Sequence, residues 1–248
     1  MIILKSAREI ESMKAAGAIA AECHKLVGEA IRPGVTTAEL DRIVRRHIEK
    51  SGAEPSFLGY MGYPATINAS VNDEVVHGIP GERELKEGDI VSIDLGCKYK
   101  GYHSDCAKTY AVGKITPEAQ RLIDVTKASF FAGVKQFQQG KRLCSISAAV
   151  QQTAEAAGFS VVRELVGHGI GQKLHEEPNV PNFVSRYKGP RLEVGMVLAI
   201  EPMINYGAKE TYTKLDGWTV CTKDGSLSAH YEHTVALTEN GPEILTRV

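Results

Sequence analysis

Two stretches, Leu85-Lys-Glu-Gly88-Asp-Ile-Val-Ser-Ile-Asp94 and Leu192-Glu-Val-Gly195-Met-Val-Leu-Ala-Ile-Glu201, carry the same pattern 107 residues apart. Each reads as a glycine turn followed by a run of apolar residues that ends in an acid, the signature of a strand delivering a carboxylate at its tip. The likeness spreads outward from both. Gly34…Leu40…Val44…Gly52 matches Gly140…Ile146…Val150…Gly158 at an offset of 106, and His103-Ser-Asp105 echoes His230-Tyr-Glu232. Between these, Val76-His77-Gly78-Ile79 resembles Gly167-His168-Gly169-Ile170 at an offset of 91. Four echoes in one order imply two similar α/β halves, roughly residues 1–114 and 115–248, related by a pseudo-twofold. Together they make one domain over 1–248, with equivalent acids meeting where the halves meet.

Around this frame the chain punctuates itself. Ile10, Met13, Ala16, Ala20 and Cys23 recur at helical spacing, and Ser6 with Glu9 forms a capping box, which predicts a helix over 6–31. Thr37 is read as the cap of a second helix with Leu40, Val44 and Ile48 as its apolar stripe, closed by Gly52. Residues 53–70 read as a loop with a short strand near 66–71. Strands over 89–95 and 103–112 follow, then helices over 117–138 and 143–157. Further strands are expected over 159–163, 196–201, 218–222 and 229–238.

Composition narrows the class of protein. The 29 Lys and Arg balance 30 Asp and Glu, so the net charge of −1 gives no reason to expect nucleic acid or an anionic membrane as a partner. No apolar run is long enough to span a bilayer, and the first residues do not read as a signal peptide, so the cytoplasm is the expected compartment. The five cysteines, Cys23, Cys97, Cys106, Cys144 and Cys221, are odd in number and free of a CxxC pair, and are expected to be reduced thiols. Cys97 and Cys106 are read as packing residues.

The acids carry the chemistry. With a hairpin turning at Tyr99-Lys100, Asp94 and Asp105 fall opposite one another, about 5 Å apart between Cβ atoms. Glu201, kept extended by Pro202, and Glu232 repeat the arrangement. Four converging carboxylates repel unless cations intervene, and no Lys or Arg occupies the matching strand positions. His168, in the glycine-rich run Gly167-His-Gly-Ile-Gly171, adds an imidazole. Oxygen ligands with one imidazole and no thiolate favour Mn, Fe or Co over a structural zinc. Two such ions about 3.5–4 Å apart activate a water and polarise a carbonyl, which is the equipment of a hydrolase. Singly, each acid reads as an ordinary cap, turn or surface residue. The repeat that brings them together makes the set informative.

The segments Ile93-Asp94-Leu-Gly, His103-Ser-Asp105, Gly167-His168-Gly-Ile-Gly-Gln-Lys-Leu-His175-Glu-Glu-Pro, Ala199-Ile-Glu201-Pro-Met and Tyr231-Glu232-His-Thr resemble the type I methionine aminopeptidases over essentially the whole chain. The resemblance implies an α+β pita-bread fold, with the two halves around a curved antiparallel sheet. It implies removal of the initiator methionine from nascent polypeptide N-termini with a small second residue, a metal-bridged hydroxide attacking the scissile carbonyl. By position, Asp105 and Glu232 resemble the bridging carboxylates, Asp94 completes one metal's shell, and His168 with Glu201 the other's. Glu201 also resembles the residue that handles the proton of the attacking water. His77 and His175 resemble the two non-ligand histidines that contact substrate and stabilise the tetrahedral intermediate.

The same resemblance implies a methionine pocket of Phe57, Tyr60, Tyr63, Asn68, Leu174 and Trp218, aromatic walls that suit a thioether. Many bacterial relatives carry Cys where this chain has Asn68, and an aromatic where it has Leu165 and Leu174, so the pocket is expected to be looser or more polar on one side. Asn72 and Ser228 sit where some relatives hold a monovalent cation. The divalent pair is left among Mn, Fe, Co and Zn, the oligomeric state is expected to be a monomer, and a transient ribosome contact is compatible with the substrate. A proline-specific aminopeptidase or dipeptidase shares the fold and ligands but usually carries a separate N-terminal domain. A metal-free binding module typically lacks several ligands, whereas all five are present here. A phosphate-ester hydrolase lacks the Arg or Lys clamp it would need.

Overall fold

Ser6 opens the first helix, α1 (Ala7–Ala30), with the expected reciprocal cap: its Oγ accepts from the Glu9 N–H at 3.4 Å, and the Glu9 carboxylate accepts from the Ser6 N–H at 2.8 Å. The structure, a computed structural model, describes residues 1–247. The second helix, α2 (Thr37–Lys50), is capped by Thr36 and not by Thr37. Glu39 stands three residues after Thr36 and completes the box there, while the Thr37 hydroxyl donates to the Gly81 carbonyl. Both helices bury one stripe, Met13, Ala16, Ala20 and Val27 on α1 and Leu40, Val44 and Ile48 on α2. Fully burying such a Leu, Ile or Val stabilises by about 1.5–3 kcal/mol each, which is what fixes the pair on the sheet.

The strands of the first half are β1 (Glu54–Pro55), β2 (Ile67–Val71), β3 (Glu74–Val76), β4 (Ile90–Tyr99) and β5 (Tyr102–Ala111). The second half repeats the order with α3 (Pro117–Val134), α4 (Cys144–Ala156), β6 (Ser160–Val161), β7 (Gly167–Gly169), β8 (Glu176–Val180) and β9 (Val197–Ile200). It ends in β10 (Met203–Asn205), β11 (Thr211–Thr213), β12 (Val220–Thr222), β13 (Ser228–His230), β14 (Glu232–Thr238) and β15 (Gly241–Ile244). The third helix thus stops at Val134, short of the expected 138. The strand expected over 229–238 breaks at Tyr231, whose N–H turns aside to the Pro202 carbonyl.

The central antiparallel sheet runs β1-β4-β5-β14-β9-β7-β8, with β2 also on β4 and β15 on β14. Reading outward from its middle, β5-β4-β2 on one side answers β14-β9-β7 on the other. The pivot is the Cys106–His233 pair. On one side of it Ala107 pairs with Glu232, and on the other Asp105 and Thr234 exchange hydrogen bonds at 3.0 and 2.9 Å. Swapping the halves carries Asp105 into Glu232 and Ala107 into Thr234, so the pseudo-twofold passes through that pair.

The faces of the sheet divide the labour. Val91, Ile93, Leu95 and Cys97 of β4 turn to the cluster under α1 and α2, while Leu198, Ile200, Val235 and Leu237 turn to the one under α3 and α4. The alternate positions, Ser92 and Asp94 on β4 or Ala199 on β9, face the other way. A third cluster draws Ile10, Met13, Phe57 and Tyr63 from the first half and Ile170, Leu174, Val197 and Ala236 from the second. Two smaller sheets, β13-β10-β6 and β11-β12-β3, fold over the site side.

Candidate metal centre and its cavity

Asp94 lies within β4 and Asp105 within β5, but they do not stand opposite one another as the sequence suggested. The hairpin turns at Lys100 and Gly101 (φ +50° and +86°), so Tyr99 pairs with Tyr102, Asp94 with Ala107 and Asp105 with Gly96. The shift from the expected register is two residues, which preserves the face because the strand period is two. The carboxylates therefore meet on a diagonal. On the other side, continuing the His233–Ile200 register by one residue sets Glu232 directly across from Glu201.

His168 is the middle residue of β7, opposite Ala199. The flanking glycines are required by backbone approach: a Cβ at Gly167 would overlap the Ala199 carbonyl oxygen, and one at Gly169 that of Glu177. With its Nδ1–H donated to the Gly169 carbonyl at 2.9 Å, the ring presents its Nε2 lone pair to the acids. That atom is 3.5 Å from Glu201 Oε1 and 3.7 Å from Asp105 Oδ2. The matched echo of His168 with His77 is not a structural one. His168 faces Ala199, whose counterpart is Ser92, and Ser92 faces Ser70, so Ser70 of β2 takes the equivalent place.

The acids fit a cation and little else. Asp94 Oδ1, Asp105 Oδ1 and Glu232 Oε1 are buried with no hydrogen-bond partner among the described residues. Burial pushes Asp94 up to about 7, opposed by the hydrogen bond from Asn68. Burial, and then the neighbouring carboxylates, raise Asp105, Glu201 and Glu232 well above the ordinary range. One ligand atom each from Asp105, His168 and Glu232 lie within 4.8 Å of one another. Atoms each about 2.0–2.2 Å from a shared ion are spaced on this scale. A buried negative cluster of this kind is sustained by divalent ions.

Over the cluster lies a cavity of about 280 Å³. Phe57, Tyr60, Tyr63, Leu174 and Trp218 form much of its wall, with Tyr63 and Trp218 edge-to-face at 5.1 Å. Tyr63 is fixed by donating to the Ile67 and Gly78 carbonyls, at 3.0 and 3.1 Å. Asn68, directly across from Asp94, and Leu165 complete the expected lining. His77 and His175 both border the cavity. His77 holds a left-handed backbone (φ +61°), and burial lowers it to about 4. His175 Nδ1 is hydrogen-bonded to the Tyr60 hydroxyl at 2.8 Å, and its ring centroid is 4.2 Å from that of His168. Burial lowers His175 too, so both rings are neutral near pH 7.

One titratable residue lining the cavity escaped the sequence reading. His230, 2% exposed and with neither ring nitrogen hydrogen-bonded among the described residues, lines the cavity 3.9 Å from Glu201 Oε2 and 4.0 Å from Glu232 Oε2. The echo His230-Tyr-Glu232 pointed at it, but the match with His103 drew attention to the acids. His103, half-buried, is bonded instead to the Ser56 hydroxyl at 2.9 Å. Asn72 and Ser228 do come together, the Ser228 N–H donating to the Asn72 carbonyl at 2.9 Å. Cys97 and Cys106 are fully buried with thiols pushed up by burial, in keeping with packing roles.

A curled antiparallel sheet presenting three buried carboxylates, a half-buried fourth and an imidazole at the floor of a cavity defines a metal-dependent hydrolase of pita-bread architecture. Residues 11–239 match the model of metallopeptidase family M24, and the chain belongs to that family. It is 56% identical, over the full length of both chains, to a methionine aminopeptidase of Clostridium perfringens. To methionine aminopeptidase 1 of Bacillus subtilis it is 53% identical, again over the full length of both. The crystal structure of a methionine aminopeptidase from Thermotoga maritima superposes with a TM-score of 0.98 at 44% identity, each chain covered completely. Among the described residues no helix is long and apolar enough to cross a membrane.

Proposed function

We propose that this chain is a methionine aminopeptidase that frees the initiator methionine from nascent polypeptides whose second residue is small, and that residues 1–248 act as one catalytic domain. The observation that carries this reading is the pairing of partnerless buried carboxylate oxygens with an aromatic-walled cavity directly above them. Asp105 and Glu232, nearest the pseudo-twofold, would serve both divalent ions; Asp94 would complete one end, His168 with Glu201 the other. When bound, the ions supply Lewis-acid polarisation of the peptide carbonyl and a water of lowered pKa.

The protein groups do the rest. Phe57, Tyr60, Tyr63, Leu174 and Trp218 hold the methionine side chain by apolar and sulfur–aromatic contact, which places the first peptide bond over the acids. Glu201 takes the proton from the attacking water and delivers it to the departing amine. His175, with the Tyr60 hydroxyl donating to its Nδ1 and its own proton on Nε2, and His77 donate toward the carbonyl oxygen as negative charge develops. We assign the divalent ions to Mn, Fe, Co or Zn, place a monovalent cation near Asn72 and Ser228, and read the protein as a cytoplasmic monomer that meets its substrate at or near the ribosome.

The test is peptide cleavage by protein stripped with a chelator and then reconstituted with Mn²⁺. Met-Ala-Ser should lose its methionine only after metal is restored, and a Leu-Pro peptide should stay intact. Cleavage of the proline peptide alone would assign the chain to a proline-specific activity, and metal binding without cleavage of either peptide would make it a binding module.

A further inference from the structure

Asn68 does more than line the cavity. It stands directly across from Asp94 in the β2–β4 ladder, and its Nδ2–H donates to Asp94 Oδ2 at 2.7 Å. The residue is 5% exposed, so this is a charge-assisted bond made out of water. Among the four acids, Asp94 is the one whose carboxylate accepts from a neighbouring side-chain amide, and its other oxygen, Oδ1, has no protein partner among the described residues. The two oxygens of Asp94 are therefore inequivalent: one is committed to the protein, one is left for a cation. An amide suits that task. It carries no charge that would compete with the ion, and its planar N–H fixes the torsion of the carboxylate as a hydroxyl or thiol rotor would not.

We propose that Asn68 is a positioning residue for Asp94, holding Oδ2 so that Oδ1 is presented to the metal at that end of the site. The same side chain forms part of the cavity wall, so one position sets both the shape of the methionine pocket and the affinity of one metal end. The inference rests on the proposed ligand role of Asp94. Outer groups that orient a ligand change metal affinity about 10–100-fold when removed.

The measurement is calorimetric titration of the metal-free protein with Mn²⁺ alone. Wild type should show two binding phases. Asn68→Leu, close to Asn in shape but without the donor, should weaken one phase about 10–100-fold and leave the other unchanged, and Asn68→Ala should weaken the same phase to a similar degree. If both phases stay at wild-type affinity in Asn68→Leu, the positioning role is wrong; if only Asn68→Ala weakens binding, cavity packing and not the hydrogen bond is responsible, which also overturns it. Asp94→Asn separates this from the parent reading. Loss of one phase there with normal titration of Asn68→Leu refutes the positioning role alone, whereas unchanged titration of Asp94→Asn removes Asp94 from the ligand set altogether. Circular dichroism before titration identifies any variant that fails to fold, and if Asn68→Leu does, wild-type affinity in both phases of Asn68→Ala still refutes the positioning role.

Discussion

Asp94 and Asp105 meet on a diagonal of the β4–β5 hairpin, each displaced two residues from direct opposition, whereas Glu201, one residue past β9, falls across from Glu232 when the His233–Ile200 register is continued. The two halves thus repeat a fold without repeating its ladder at the site. Asp94, with Asn68 behind it, stands at one end of the cluster, and Glu201, flanked by His168 and His230, at the other.

Four carboxylates this close strain the protein when no cation is bound. Each binds its proton more tightly folded than unfolded, so in the metal-free protein stability falls as pH rises, beginning near the ordinary Asp value of 3.8 and, for Asp94, continuing to about 7. Asp105, raised by burial and by Glu232 and Asp94, behaves in the same direction. Asp105→Asn should therefore raise the melting temperature of the chelated protein, and the gain should widen from pH 5 to pH 8. With Mn²⁺ in excess the order should reverse, because the variant has lost a ligand. Calorimetry of both proteins at the two pH values, with chelator and with metal, reads this directly; a constant difference across pH would mean that Asp105 is not ionised against its neighbours.

Tyr60 and His175 should act as a unit. The Tyr60 hydroxyl lies 2.8 Å from His175 Nδ1, and by donating there it would favour the tautomer that carries the proton on Nε2, toward the substrate carbonyl. His175→Ala should lower kcat by about 10²–10³, the scale of losing one donor to a developing oxyanion. Tyr60→Phe should lower kcat by a smaller factor with KM little changed, since the phenyl wall remains. In the double variant Tyr60→Phe should add almost nothing to His175→Ala. Independent, multiplying effects in Met-Ala-Ser kinetics would show that Tyr60 serves only as pocket wall.

The parts of this molecule that the sequence displays are those governed by local rules. The Ser6–Glu9 cap, the α1 and α2 stripes and the acids ending each apolar run all depend on neighbours a few residues away, and they stand where the spacing puts them. Register was less legible, because it depends on which dipeptide turns. Lys100-Gly101 carried the signal, a glycine in the second turn position, that should have outweighed Tyr99-Lys100. The glycines flanking His168 read in the sequence as a backbone passing close to a site, without saying what it passes. They are there because the Ala199 and Glu177 carbonyls press on them, a contact made only in the folded sheet. His230 was hidden for a similar reason: its strand is covered by α3, β3, β4, β5 and β10, and nothing adjacent to it in the chain marks it as buried.

Away from the site, His24 should govern part of the acid stability. Its Nε2–H donates to the Cys106 carbonyl at 2.9 Å beneath the sheet, and burial lowers it to about 3. The unfolded chain takes up the proton near 6.5 and the folded one only near 3, so stability is lost as pH falls through that window. His24→Gln keeps a donor but does not titrate. It should cost about 1 kcal/mol at pH 8 and yet move the midpoint of acid unfolding to lower pH. An acid titration followed by circular dichroism on both proteins compares them; a midpoint moved upward would place the acid sensitivity elsewhere.

His77 offers the sharpest separation of stability from function. Its φ of +61° lies in the left-handed region, which costs a residue with a side chain about 1–2 kcal/mol. The surrounding bonds hold it there: Gly78 donates to Ser70 Oγ at 3.1 Å, and its carbonyl accepts from Tyr63 and from the Ala69 N–H. Such strain persists where a side chain is needed at one point, and the imidazole here reaches the cavity above the acids. His77→Gly relieves the strain, offset by the greater freedom of glycine in the unfolded chain, about 0.5–1 kcal/mol. The melting temperature should consequently stay within a few degrees of wild type while kcat on Met-Ala-Ser falls about 10²-fold. Free imidazole in the assay should restore part of the lost rate in His77→Gly and none in wild type. A variant that loses stability but keeps its turnover per folded molecule would mean that His77 is held in the left-handed region for packing, and that the donor toward the carbonyl is His175 alone.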